Sequence, residues 1–240
     1  MPNSVFTVAV IASGIDEEYQ QSILNGIHRY AAQHRINIAH FIAYGGILSN
    51  PNYDQGEYNI FELCDFKQFD GVILLSNTFS ADIVKKLHDR ITEAGIPAVS
   101  IDRDIDDLYY IGIQNATAME QIVRHMIEKH GAKRLNYISG PDDNTESIER
   151  FAAFHKVLAE HEIEFEPERI YHGTFRAKDG RRAIEAFCRS KLPFPDAIIC
   201  ANDAMAISAV ITLETKGIRC PEDVLVTGFD NIYHAQHFSP

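Results

Sequence analysis

The chain has 240 residues, 45% of them apolar, enough to bury one large core or two smaller ones. Its 34 acids against 22 lysines and arginines leave a formal net charge of −12 with no basic stripe, so this stretch lacks the clustered cations that grip a phosphate backbone. No run approaches the roughly 18 apolar residues of a membrane span, and the start, MPNSVFTVAVIASG, has no positive leader region, so a cytoplasmic location away from membranes is expected.

Val5 to Ala12 reads as a first strand, followed by Tyr19, Ile23, Leu24, Ile27, Tyr30 and Ala31 at helical spacing. Ile36 to Ala43 is the second strand. A polar stretch from Tyr44 to Gly56, rich in Gly, Asn and Pro, has the composition of a mobile loop and leads to a short helix around Tyr58 to Cys64. After the strand Gly71 to Leu75, Ser80 is placed to cap a helix with the stripe Ile83, Val84, Leu87 and Ile91. Pro97 to Ile101 and Tyr110 to Ile113 are further strands, and Met119, Ile122, Val123, Met126 and Ile127 form a regular apolar stripe. Leu135 to Ser139, Arg169 to His172, Ile198 to Ala201 and Val224 to Thr227 are strands separated by helices at about 145–160 and 178–190 and one starting after Asn202. Gly95, Gly131 and Gly217 each stand between a helix and a strand, where a left-handed cap is needed. Cys64 and Cys200 fall on apolar faces and read as buried free thiols, and no Cys spacing suggests a metal knuckle.

This alternation predicts an α/β fold of two doubly wound parallel sheets, with the crossover near Gln114 to Ala116. Ligands of such sheets sit beyond the carboxyl ends of the strands. The turn after the first strand, Ala12-Ser13-Gly14-Ile15-Asp16, carries neither G-x-G-x-x-G nor a Walker lysine, and no G-x-S-x-G is present. His234 and His237, and His125 and His130, fit no zinc pattern. No cofactor, metal or catalytic residue is therefore expected. What remains is a ring of polar groups at strand ends: Ser13, Ser76, Asp102 with Arg103, Asn202 and Asp230. Each alone could be a cap or a turn former. Asp102 and Arg103 stand where a helix would ordinarily be capped by a small residue, and the set together could orient a polyhydroxylated small molecule.

Phe69-Asp70-Gly71-Val72-Ile73-Leu74, Pro97-Ala98-Val99-Ser100-Ile101-Asp102-Arg103, Arg150 within ESIERFAAFHKVL, the AND-A-M-A run at 201–206 and Val226-Thr227-Gly228-Phe229-Asp230-Asn231 occur in that order. Together they resemble the effector-binding region of the lactose-repressor/galactose-repressor (LacI/GalR) family of transcriptional regulators, which shares its fold with periplasmic sugar-binding proteins. The resemblance implies two hinged lobes, 1–114 and 115–230, with 231–240 beginning a return crossover whose remainder is missing. It implies a small-molecule effector, carbohydrate by family, bound in the inter-lobe cleft and shifting an open/closed equilibrium. It further implies a homodimer, and DNA binding only through a helix-turn-helix module absent from this chain. Asp102, Arg150, Asn202 and Asp230 would hydrogen-bond the effector, Tyr19 and Phe175 would supply aromatic faces, and Ser76 and Arg103 would be further contacts. Glu17-Glu18-Tyr19-Gln20 replaces the family's Asn-Pro-Phe-Phe stretch, which suits a cationic or differently shaped ligand.

The resemblance also fits a sensor fused to a C-terminal signalling enzyme, such as a diguanylate cyclase or a kinase. The 44–56 loop followed by NIFELCDF looks closer to those sensors than to sugar repressors. An enzyme using Asp102 or Asp230 as general base, or a transport receptor, would use the same cleft. Asp230→Ala and Arg150→Ala are expected to abolish effector binding and leave the fold intact.

Overall fold

The computed structural model describes residues 5–44 and 56–239. The opening β-branched run forms β1 (Thr7–Ser13), and the next elements are α1 (Glu18–His34), β2 (Asn37–Ala43), β3 (Gly71–Leu74), α2 (Ala81–Ala94), β4 (Ala98–Ile101) and β5 (Tyr109–Ile111). Short 3-10 turns cover Tyr58–Leu63, Phe66–Gln68 and Ser76–Thr78. All five strands are parallel, in the order β2-β1-β3-β4-β5. Of the stretch expected to be a mobile loop, 45–55 lies outside the described residues.

The first sheet is packed unequally on its two faces. One carries Ile11, Leu74, Phe61, Phe66, Phe79, Leu87 and Ile91, whereas the other, among the described residues, buries a cluster of Val10, Ala12 and Leu75 alone beneath partly exposed residues of α1. Of the α1 stripe, Ala31 alone is buried, and Tyr30 instead stacks on His34 at 3.9 Å. Of the α2 stripe, Val84, Leu87 and Ile91 are buried and Ile83 is half-buried. Ser80 takes the capping backbone conformation, but its hydroxyl makes no capping bond. Cys64 is fully buried, which pushes its thiol up to about 11.

The remaining elements are α3 (Asn115–Glu128), β6 (Leu135–Ser139), α4 (Thr145–Glu160), β7 (Ile170–His172), α5 (Ala177–Arg189), β8 (Ala197–Cys200), α6 (Asp203–Thr215), β9 (Leu225–Thr227) and α7 (Tyr233–His237). Their sheet is also parallel, ordered β7-β6-β8-β9. The chain divides into two compact units, Met1–Ile113 and Gln114–Pro240, and each sheet belongs to one of them. Every residue of β6 and β8 is buried, as expected for central strands covered on both faces. Gly95, Gly131 and Gly217 have φ of 67°, 70° and 75°, the left-handed caps that their positions require.

In both sheets the first strand lies between the second and the third, so the direction of winding reverses beside β1 in one unit and beside β6 in the other. That reversal opens a crevice at the carboxyl ends of the strands. It fixes where each lobe can hold a ligand.

One core position of the second lobe is polar without reward. Tyr137 is fully buried on β6 against Phe151 and Phe154, and its hydroxyl has no hydrogen-bond partner. Burying such a group carries a desolvation cost. Tyr137→Phe is expected to leave stability unchanged or raise it by up to about 1 kcal/mol in urea denaturation; a clear loss would reveal a hidden partner.

Candidate functional site

In the first lobe, Ser13 closes β1 and is buried, its backbone N–H donating to Thr78 Oγ1 at 3.1 Å. Thr78 in turn donates to the Leu75 carbonyl at 2.7 Å, which ties the ends of β1 and β3 together. Asp102 follows β4 directly at φ 66° and is 7% exposed. Its N–H bonds the Ile111 carbonyl at 2.8 Å, so the chain turns from β4 towards β5 with no helix between them, and Asp102 caps none. Tyr19, in the first turn of α1, donates its hydroxyl to Asp102 Oδ2 at 2.8 Å.

Ser76 is brought to the same turn but faces inward. Fully buried, it lies 2.7 Å from the Ile101 carbonyl and 2.6 Å from Ser100 Oγ, and Ser100 bonds the Arg103 carbonyl. Two hydroxyl protons thus serve a network that shapes the 101–103 backbone. This makes Ser76 a support of the Asp102 turn, while the Arg103 side chain is half-buried beside it.

The second lobe is organised around Arg150 of α4, whose side chain is 2% exposed. Its Nε donates to Asn115 Oδ1 at 2.8 Å and its Nη1 to the Ala201 carbonyl at 2.7 Å. Nη2 reaches Glu146 Oε1 at 3.1 Å and Asp230 Oδ1 at 3.3 Å. The guanidinium carbon sits 3.9 Å from the centre of the Phe229 ring and 5.9 Å from that of Phe175. One buried cation therefore gathers α3, α4, the end of β8 and the turn after β9.

Asn202 caps α6, its Oδ1 accepting from Met205 N at 3.1 Å, and its Nδ2 donates to the Phe175 carbonyl at 2.8 Å. Phe175 stands at φ 63°, and its ring lies so close over Gly140 that a Cβ there would come within 2.3 Å of it. Asp179 holds the same loop, accepting from both the N–H and the hydroxyl of Thr174 at 2.7 Å. Asp230 and Asn231 are at φ 95° and 54°. The buried Asp203 carboxylate accepts from Ile232 N at 2.9 Å, and burial pushes its pKa above the ordinary carboxylate value despite the amides directed at it.

Each lobe thus places its share of the sequence-predicted residues at one end: Ser13, Tyr19, Ser76, Asp102 and Arg103 in the first, Arg150, Phe175, Asn202 and Asp230 in the second. Sequence reasoning missed Asn115, Glu146, Asp179 and Phe229. Glu146 had a signal, standing four residues before Arg150 on one helix face; Asn115 and Asp179 had none, because only the fold brings them there. A separate groove of ≈ 520 Å³ lies at the amino-terminal edge of the second sheet, by Lys133, Arg134, Glu166 and Arg169, outside this set. Among the described residues no group of three or more His, Cys, Asp or Glu could hold a metal, and no helix is long and apolar enough to cross a membrane.

Two lobes of this topology, with polar groups at the carboxyl ends of their strands, define a two-lobed small-molecule-binding module. Residues 8–238 match the model of the periplasmic binding protein domain, and the chain belongs to that family, in the form carried by LacI-type transcriptional regulators. Catabolite control protein A of Staphylococcus xylosus is 30% identical over 228 residues, 94% of this chain and 64% of that protein. A probable repressor of Bacillus subtilis strain 168, ExuR, is 31% identical over 175 residues, 72% of this chain and 51% of its own length. The solved complex of the transcriptional regulator CelR with cellobiose superposes with a TM-score of 0.80 at 27% identity, covering 99% of this chain and 71% of that one. The chain therefore spans between about half and two thirds of the length of these two curated relatives.

Proposed function

We propose that this chain is the sensing part of a cytoplasmic transcriptional regulator and binds a small, hydroxyl-rich effector, a carbohydrate or a close analogue. The observation that carries the reading is backbone strain at the expected contacts. Seven non-glycine residues among those described have positive φ, and Asp102, Phe175 and Asp230 are three of them, with Asn231 beside the last. Such conformations cost about 1–3 kcal/mol each and persist where the surroundings hold a side chain for a purpose.

In this reading the effector engages the strand ends of both lobes. Asp102 and Tyr19 contribute from the first, with Ser13 and Arg103 as further contacts and Ser76 holding the turn. Arg150, Asp230, Asn202 and the Phe175 ring contribute from the second. An aromatic face against sugar C–H groups, with charged partners for the hydroxyls, suits a carbohydrate. Binding acts by its differential affinity for open and closed arrangements, which a DNA-binding module in a homodimer would read out. The chain itself is not an enzyme in this reading: the charged groups at the carboxyl end of the second sheet, Arg150, Glu146 and Asp230, are engaged with one another.

The test is a thermal-shift screen against neutral sugars, sugar phosphates, nucleosides and amino acids. A ligand at about 100 times its Kd adds about 2.7 kcal/mol of stability, visible as a raised Tm. A sugar hit that Asp102→Asn and Asp230→Asn both remove supports the reading; a hit insensitive to both overturns the site.

A further inference from the structure

We infer that Asp203 is a positioning residue for recognition, holding the turn 228–232 so that the Asp230 carboxylate stays on Arg150. Asp203 is the first residue of α6, 7% exposed, and its own N–H bonds the Phe229 carbonyl at 2.9 Å. Its carboxylate accepts from Ile232 N at 2.9 Å, and the amides of Asn231 and Phe229 also point at it. One side chain thus receives donors from three residues of a four-residue span that contains two left-handed positions, Asp230 and Asn231. Left to itself such a span relaxes towards extended backbone and carries Asp230 away from the guanidinium.

Gly228 supports the same conclusion by a different route. A Cβ built on it would stand 2.0 Å from Asp203 Oδ1 and 3.0 Å from Asp203 Cα, so the chain passes directly across the carboxylate. A plain helix cap would not need that approach. In α6 the capping is done by Asn202, which leaves the Asp203 carboxylate to serve the turn. The functional consequence rests on the proposed role of Asp230, whereas the clamp can be tested without any effector.

The experiment is amide hydrogen exchange on the full chain and on Asp203→Asn, read for Phe229, Asn231 and Ile232 against the amides of α6. These three are expected to exchange about tenfold faster or more in the variant, with 206–215 unchanged. Gly228→Ala should produce the same local loss, and combining it with Asp203→Asn should add little to either single variant, since both disrupt the same clamp. Should Asp203→Asn not fold, an NMR titration of the native chain decides instead. The three amide resonances are expected to move together with one midpoint as the shared carboxylate protonates. Unchanged exchange in a folded variant, or three unrelated midpoints in the native chain, overturns the clamp. An intact clamp with no effect of Asp230→Asn on a ligand from the screen would overturn only the binding role of Asp230.

Discussion

Arg150→Ala is expected to destabilise the second lobe by about 3–5 kcal/mol, as well as to remove effector binding. From sequence alone this substitution looked like a clean binding-site probe that would leave the fold intact, and the structure corrects that expectation. The Arg150 side chain is 2% exposed, and those of Glu146 and Asp230 are 8% and 9%. Removing the cation leaves two carboxylates buried together, with the Asn115 oxygen and the Ala201 carbonyl both losing their donor. The penalty is that of uncompensated buried charge, larger than the net worth of the ion pair itself. Replacing all three charged residues by Met or Leu should recover most of the loss, since well-packed apolar substitutes commonly match a buried ion triad. Urea denaturation followed by circular dichroism distinguishes these outcomes. A single-variant loss below about 1 kcal/mol would mean that the ring is hydrated.

The architecture was legible because it depends on local periodicity. Leu135–Ser139 and Thr145–Glu160 match the sequence reading, since a short strand ended by Gly140-Pro141 and a continuous helical stripe behind the Asn144 cap leave little choice of boundary. The α1 stripe was legible as helical spacing, but its exposure was set by tertiary structure: among the described residues the sheet face beneath it buries Val10, Ala12 and Leu75 alone, so an apolar stripe there need not be buried. Among the site residues, the acids and amides at strand ends could be found because the topology requires a polar turn there. Their partners could not. Arg150 meets Asn115 across 35 positions and Ala201 across 51, and nothing local in either stretch announces the meeting. The turn after β4 shows the opposite failure. Asp102 and Arg103 stood out as odd helix caps because no helix follows them; Ser76 was visible only as a polar group at a strand end, and Ser100, which holds that turn with it, carries no signal beyond being small and polar.

Gly180→Ala is expected to cost the second lobe about 1–3 kcal/mol, whereas Gly26→Ala should stabilise the first by about 0.5–1 kcal/mol, although both glycines lie inside helices. Around Gly26 nothing lies within 4 Å of an added Cβ, so only the helix propensity of alanine is felt. At Gly180 the same atom would fall 2.1 Å from the Met205 carbonyl oxygen and 2.9 Å from Ala209 N, both backbone atoms of α6 that cannot rotate away. The helices α5 and α6 must then separate by more than an ångström, which outweighs the propensity gain. The displacement also reaches the candidate site. Asp179, adjacent to Gly180, holds Thr174, and Asn202 at the head of α6 holds the Phe175 carbonyl. Moving the two helices apart therefore pulls on both ends of the Phe175 loop, and Gly180→Ala should weaken binding of any screened effector beyond its loss of stability. Melting curves of the two variants with and without that effector measure both effects; equal ligand-induced shifts in the native chain and in Gly180→Ala would sever the link between helix packing and the Phe175 face.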